Sequence, residues 1–204
     1  MKKLMLVFLV AALLLPTTIF AQSGPKVTFG NGTFKIGNNV IPFGVASSEY
    51  QQFYIADKFK ANLKNPVTIR TITFQANPSL TNGPVSVTAS INMAIVPFST
   101  GCMPCNLASG FAVNVQPVYA GTVTAMLDTS QGKNDFVFNL SAPYTFTAAT
   151  GYLLVDITVV STTGNVEGFD FGPSADTFRL YTNLLGQLTQ DNAGLLTVFT
   201  LGNK

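Results

Sequence analysis

Val85-Ser86-Val87-Thr88-Ala89-Ser90-Ile91-Asn92-Met93-Ala94-Ile95-Val96 is the stretch that decides the fold. Val85, Val87, Ala89, Ile91, Met93 and Ile95 alternate there with Ser86, Thr88, Ser90 and Asn92. Successive side chains of a strand point to opposite faces, so an apolar residue at every second position marks a strand with one buried and one wet face. Just upstream, residues 67–75 are also extended, with Val67 and Ile69 in one phase and Ile72 and Phe74 in the other. A change of phase inside one strand predicts a bulge or a twist between sheets. Further strands are expected at residues 118–127, 135–140, 152–160, 166–171, 177–182 and 196–201. Turn signals such as Asn82-Gly83-Pro84, Thr163-Gly164-Asn165 and Asp191-Asn192-Ala193-Gly194 separate them. Only residues 54–63 have a helical flavour. Strand after strand without amphipathic helices predicts an all-β, single-domain β-sandwich of the jelly-roll type.

The chain has 204 residues, 47% hydrophobic and only 10% charged. That is too hydrophobic for a disordered segment and long enough for one sizeable core. Residues 1–21 divide into Met1-Lys2-Lys3, an apolar run from Leu4 to Leu15, and a tail ending at Ala21. This is the pattern of a secretory signal peptide, and the run is too short to span a bilayer comfortably. Cleavage is expected near Ala21, leaving residues 22–204 as one exported domain without a transmembrane anchor. The formal charge of +2 then disappears, because Lys2 and Lys3 leave with the leader and nine basic residues balance nine acidic ones. A neutral chain has no electrostatic footprint for nucleic acid or for a polybasic membrane contact. Histidine is absent, which removes the commonest general base and metal ligand.

Three segments carry a family resemblance. Ile41-Pro42-Phe43-Gly44 is followed by Tyr50-Gln51-Gln52-Phe53-Tyr54 and Phe59; Ala142-Pro143-Tyr144-Thr145-Phe146 precedes Gly151-Tyr152-Leu153-Leu154-Val155-Asp156; and Gly194-Leu195-Leu196-Thr197-Val198-Phe199 closes the chain. This order resembles exported bacterial β-sandwich proteins of the PEP-CTERM-associated type. The resemblance implies a surface or extracellular-matrix protein with no assigned catalytic residues. The chain departs from that pattern at Leu201-Gly202-Asn203-Lys204, where no sorting tail follows, so anchoring by the sorting enzyme is not expected.

Few residues are left to carry chemistry. Cys102 and Cys105, as Cys-Met-Pro-Cys, are expected to form a local disulfide in an oxidising compartment, since no helix follows to activate a thiol. Without histidine they fall short of the ligands a structural zinc takes, and no cofactor or metal site is expected. Asp156 lies within an apolar run, on the face opposite Leu153, Val155 and Ile157. It reads as a carboxylate satisfied by neighbouring strands or as a ligand or Ca²⁺ contact, although no calcium-loop motif is present. Asp128, Asp135 and Asp191 read as turn formers. Among the tyrosines, Tyr50, Tyr54, Tyr119, Tyr152 and Tyr181 are candidates for stacking on sugars, and Tyr50-Gln51-Gln52-Phe53-Tyr54 is the densest polar-aromatic cluster. Tyr50, Gln51, Gln52, Tyr54 and Asp156 are therefore the ligand-binding candidates, and none is assigned as catalytic. The expectation is a non-catalytic exported protein of the envelope or matrix, meeting extracellular polysaccharide or other surface proteins. The alternatives are a polysaccharide hydrolase using paired carboxylates and a subunit of a surface assembly, since few charges leave sheet edges open to pairing.

Overall fold

In the computed structural model, residues 24–30, 41–60, 66–76, 83–98, 112–127, 134–164, 171–173, 176–182 and 186–202 are described. The deciding stretch forms most of β4 (Gly83–Pro97), where Val85, Val87, Ala89 and Ile91 are buried and the residues between them are partly exposed. From Met93 to Val96 every residue is buried, so this end of the strand is covered on both faces. Around β4 run β1 (Lys26–Phe29), β2 (Ser48–Tyr54), β3 (Val67–Ala76), β5 (Val113–Leu127), β6 (Asn134–Phe146) and β7 (Gly151–Thr163). Short β8 (Phe171–Pro173), β9 (Thr177–Thr182), β10 (Leu188–Asp191) and β11 (Ala193–Leu195) precede the last strand, β12 (Thr197–Leu201).

All pairings are antiparallel. A small sheet has the order β1-β12-β3-β6, a large one the order β10-β9-β2-β7-β4-β5, and β11 pairs β8 separately. Counting β12 as the eighth strand after β1 to β7, the two orders become 1-8-3-6 and 2-7-4-5. That interleaving is the double Greek key of a jelly roll. The insertion between β7 and β12 supplies β9 and β10, which widen the large sheet beyond β2.

The sheets bury their facing sides against each other. Val85, Val87, Ile91 and Met93 of β4 and Leu153, Val155 and Ile157 of β7 meet Ile72 and Phe74 of β3, Phe136 and Phe138 of β6 and Phe199 of β12 in one core. Phe199 packs on Phe29, Tyr54 and Phe59 with ring centroids 5.8, 4.8 and 5.6 Å away. Phe59 is the buried residue of α1 (Asp57–Lys60), a single turn within the expected helical stretch.

The phase change in β3 is a bulge. Against β12 the register passes from Thr71↔Thr200 to Ile69↔Leu201, so Arg70 is one extra residue of β3, and against β6 it faces the longer stretch 140–143. Two side chains emerging from this part of β6 hold the sheets together at their edge. The Ser141 hydroxyl donates to the Val118 carbonyl at 2.9 Å, and the Tyr144 hydroxyl to the Asn114 carbonyl at 3.3 Å. The leader expected at 1–21, the start of the strand expected at 166–171, Asp128 and the disulfide expected between Cys102 and Cys105 lie outside the described residues. No helix among the described residues is long and apolar enough to cross a membrane.

Candidate functional site

Alternation along β2 divides the candidate cluster between two environments. Tyr50, Gln52 and Tyr54 point inward and are fully buried. The Tyr50 hydroxyl donates to Gln52 Oε1 at 2.7 Å, and the Leu195 amide donates to the same oxygen at 2.8 Å. Gln52 Nε2 donates to the Leu195 carbonyl at 3.0 Å and to Thr197 Oγ1 at 3.3 Å. The Thr197 hydroxyl donates to the Leu195 carbonyl at 2.8 Å, leaving its oxygen to accept from the Tyr54 hydroxyl at 2.9 Å. Both ends of the Gln52 amide are thus saturated, and the network stitches the large sheet to β11 and β12. Gly194 belongs to this close approach, since a Cβ there would lie 2.7 Å from Thr177 Oγ1 and 2.9 Å from Gln52 Nε2.

Burial pushes the Tyr50 phenol far above its usual range, with the Arg179 guanidinium pulling it partly back. Burial raises Tyr54 as well, against its hydrogen bond with Thr197. Arg179, beside Gln52 in the β2–β9 register, donates to both Asp191 oxygens at 2.6 and 2.8 Å and stacks 4.7 Å over the Tyr181 ring. Asp191 is therefore an ion-pair partner at the end of β10, and Asp135 lies within β6; neither serves only its turn. The expectation that Tyr50, Gln52 and Tyr54 meet a ligand is corrected here: strand alternation sends them into the core, where their polar atoms bind one another.

The outward residues of β2 are different. Gln51 lies between Leu180 of β9 and Asp156 of β7, and Asp156 lies between Gln51 and Asn92 of β4. Gln51 Nε2 donates to Asp156 Oδ1 and to Glu49 Oε1, each at 3.2 Å. Asn92 Nδ2 donates to Asp156 Oδ2 at 3.2 Å. Asp156 is 5% exposed, and burial raises its carboxyl above the ordinary range while the Asn92 and Gln51 amides pull it back. Asp156 is thus the carboxylate satisfied by neighbouring strands, and it stands on the outer side of the sheet.

Around this row the outer face is graded. Toward one end Phe53, Ala94, Val96, Leu154 and Leu180 form a second buried apolar cluster. Toward the other, hydroxyls pair across strands, Ser86 with Thr124 at 2.7 Å and Thr88 with Thr122 at 2.8 Å. On the β9–β10 side, Glu49, Gln51, Leu180, Tyr181, Thr182 and Leu188 line a concavity, with Leu188 60% exposed. Of the remaining tyrosines, Tyr119 packs edge-on against Phe138 at 5.1 Å and Tyr152 against the exposed Phe98 at 4.8 Å. Among the described residues, no three His, Cys, Asp or Glu side chains gather as a metal site would need.

Glu49, Asn92, Thr182 and Leu188 were not singled out in the sequence. Asn92 was legible, because the alternation in β4 already placed it opposite the core; Glu49 needed β2 to be recognised as a strand. No protein-family model matches the chain, and no curated protein matches it either.

Proposed function

We propose that the protein is a non-catalytic, exported component of the cell envelope or extracellular matrix that binds glycan through the outer face of its large sheet. The observation that carries this reading is the Glu49–Gln51–Asp156–Asn92 row beside the Leu180–Leu188 concavity. A sugar offers hydroxyls in a plane and C–H groups on its faces; carboxylate and amide groups held rigidly match the first, and exposed leucine the second. The leader, the balanced charge and the resemblance to exported matrix proteins support the location. Retention of the purified chain on the producer's own polysaccharide, lost on Leu188→Asp but kept in Gln52→Glu variants that fold, tests the reading. Retention unaffected by Leu188→Asp would refute it.

A second reading, hydrolysis, has one observation in its favour. Glu49 and Asp156 each stand 3.2 Å from the same Gln51 nitrogen, so their nearer oxygens lie within about 6.4 Å of each other. That is within reach of a retaining glycosidase, whose carboxyl groups stand about 5–5.5 Å apart. Here the Gln51 amide fills the gap that a reacting sugar would occupy. Appearance of new reducing ends, abolished by Glu49→Gln, would establish hydrolysis in place of simple binding.

A further inference from the structure

Among the described residues, the basic side chains stand away from the Glu49–Asp156 row. The described basic residues are Lys26, Lys58, Lys60, Arg70 and Arg179. Lys26 and Arg70 belong to the small sheet, on β1 and β3. Lys58 and Lys60 sit on α1, paired with Asp176 and Asp57. Arg179 is buried beside Gln52 and holds Asp191 in two hydrogen bonds. None of them belongs to the outward residues of the large sheet's strands, which do include two carboxylates, Glu49 and Asp156; Lys60 reaches over the Phe98 ring only just past the end of β4.

We infer that the outer face of the large sheet takes a neutral, hydroxyl-rich polysaccharide and rejects acidic ones, with Glu49 as the residue that excludes them. This deepens the glycan-binding reading and rests on it. The ligand side of the argument is charge complementarity. Neutral hydroxyls can donate to the Glu49 carboxylate and exchange hydrogen bonds with Thr158, Thr122 and Thr124, which are exposed on the same face. A uronate or sulfate group brought there meets two carboxylates within about 6.4 Å of each other, whereas the Lys60 ammonium, held by Asp57, overlies Phe98 at the far, apolar end of the face. Like charges brought together at an interface cost enough to decide between partners. Asp156 cannot turn aside, because Gln51 and Asn92 hold its two oxygens. Glu49 is exposed and reaches a ligand directly.

The test compares the purified full chain on a panel of neutral glucans and mannans with its binding to polygalacturonate and alginate at low ionic strength. Retention on a neutral polymer at least about tenfold stronger than on the acidic ones is expected. Glu49→Gln should narrow that gap by raising acidic retention, and Glu49→Lys should narrow it further. Urea unfolding of both variants would confirm that they fold as the parent does. Acidic polymers bound as well as neutral ones, or a preference unmoved by both Glu49 variants, would overturn the inference while leaving glycan binding intact. Retention on no polymer of either kind would overturn glycan binding itself, and the inference with it.

Discussion

Replacing Gln52 by leucine tests the buried network. The side chains are similar in size, so the effect is one of hydrogen bonding. Two donors lose their acceptor: the Tyr50 hydroxyl and the Leu195 amide, both directed at Gln52 Oε1. The two acceptors of Gln52 Nε2 keep other partners, since the Leu195 carbonyl still receives the Thr197 hydroxyl and Thr197 still receives Tyr54. An orphaned buried donor costs about 1–3 kcal/mol, so a loss of about 2–5 kcal/mol is expected after the modest gain from burying leucine. For a domain of this size that corresponds to roughly 2–4 °C of Tm per kcal/mol, or about 10 °C in all. Urea unfolding followed by tyrosine fluorescence, usable because the chain has six Tyr and no Trp, measures it. Thr124→Ala on the exposed hydroxyl ladder is the control and should change stability by less than about 0.5 kcal/mol. A Gln52→Leu loss no larger than that control would refute the account of a closed, buried network.

Phe199→Ala removes the ring on which Phe29, Tyr54 and Phe59 converge, and should cost about 3–5 kcal/mol in the same unfolding assay. Burial pushes the Tyr144 phenol up to about 12, and Tyr50 and Tyr54 higher than usual, so the folded chain holds protons that the unfolded chain releases near pH 10. Stability from these phenols is complete below about pH 10 and is lost as pH rises from there through the folded values, which phenolate absorbance with parallel circular dichroism should show as coupled ionisation and unfolding. Arg179→Lys keeps the charge but forfeits the two-pronged contact with Asp191 and the stacking on Tyr181. Hydrogen exchange should accelerate at Thr189, Gln190 and Asp191 of β10 while the β4 and β7 amides keep their protection.

The parts of the fold that the sequence displays are those in which one face is uniformly apolar. β4 alternates cleanly from Val85 to Ile91, and the bulge at Arg70 is visible as a phase change because this one extra residue of β3 relative to β12 moves every later side chain to the other face. β2 breaks the pattern. Its inward positions are Tyr50, Gln52 and Tyr54, so Ser48–Tyr54 reads as a polar-aromatic cluster and not as a strand. The tyrosine and glutamine that look fit for a ligand are core residues whose polar atoms find partners on β11 and β12, some 143 residues away along the chain.

From the sequence alone follow the strand character of most of the chain, the sandwich, the balanced charge beyond residue 21 and the outward placing of Asp156 and Asn92. All of these depend on local alternation or on composition, which need no knowledge of distant neighbours. Only the tertiary structure decided that Gln51 and Gln52, adjacent in the chain, serve opposite faces, one bridging Glu49 and Asp156 and the other closing the core. The register that sets Gln51 opposite Asp156, and Asp156 opposite Asn92, joins three strands far apart in sequence. Such pairings arise because the two sheets must bury their apolar faces together, and that requirement acts on the whole chain at once.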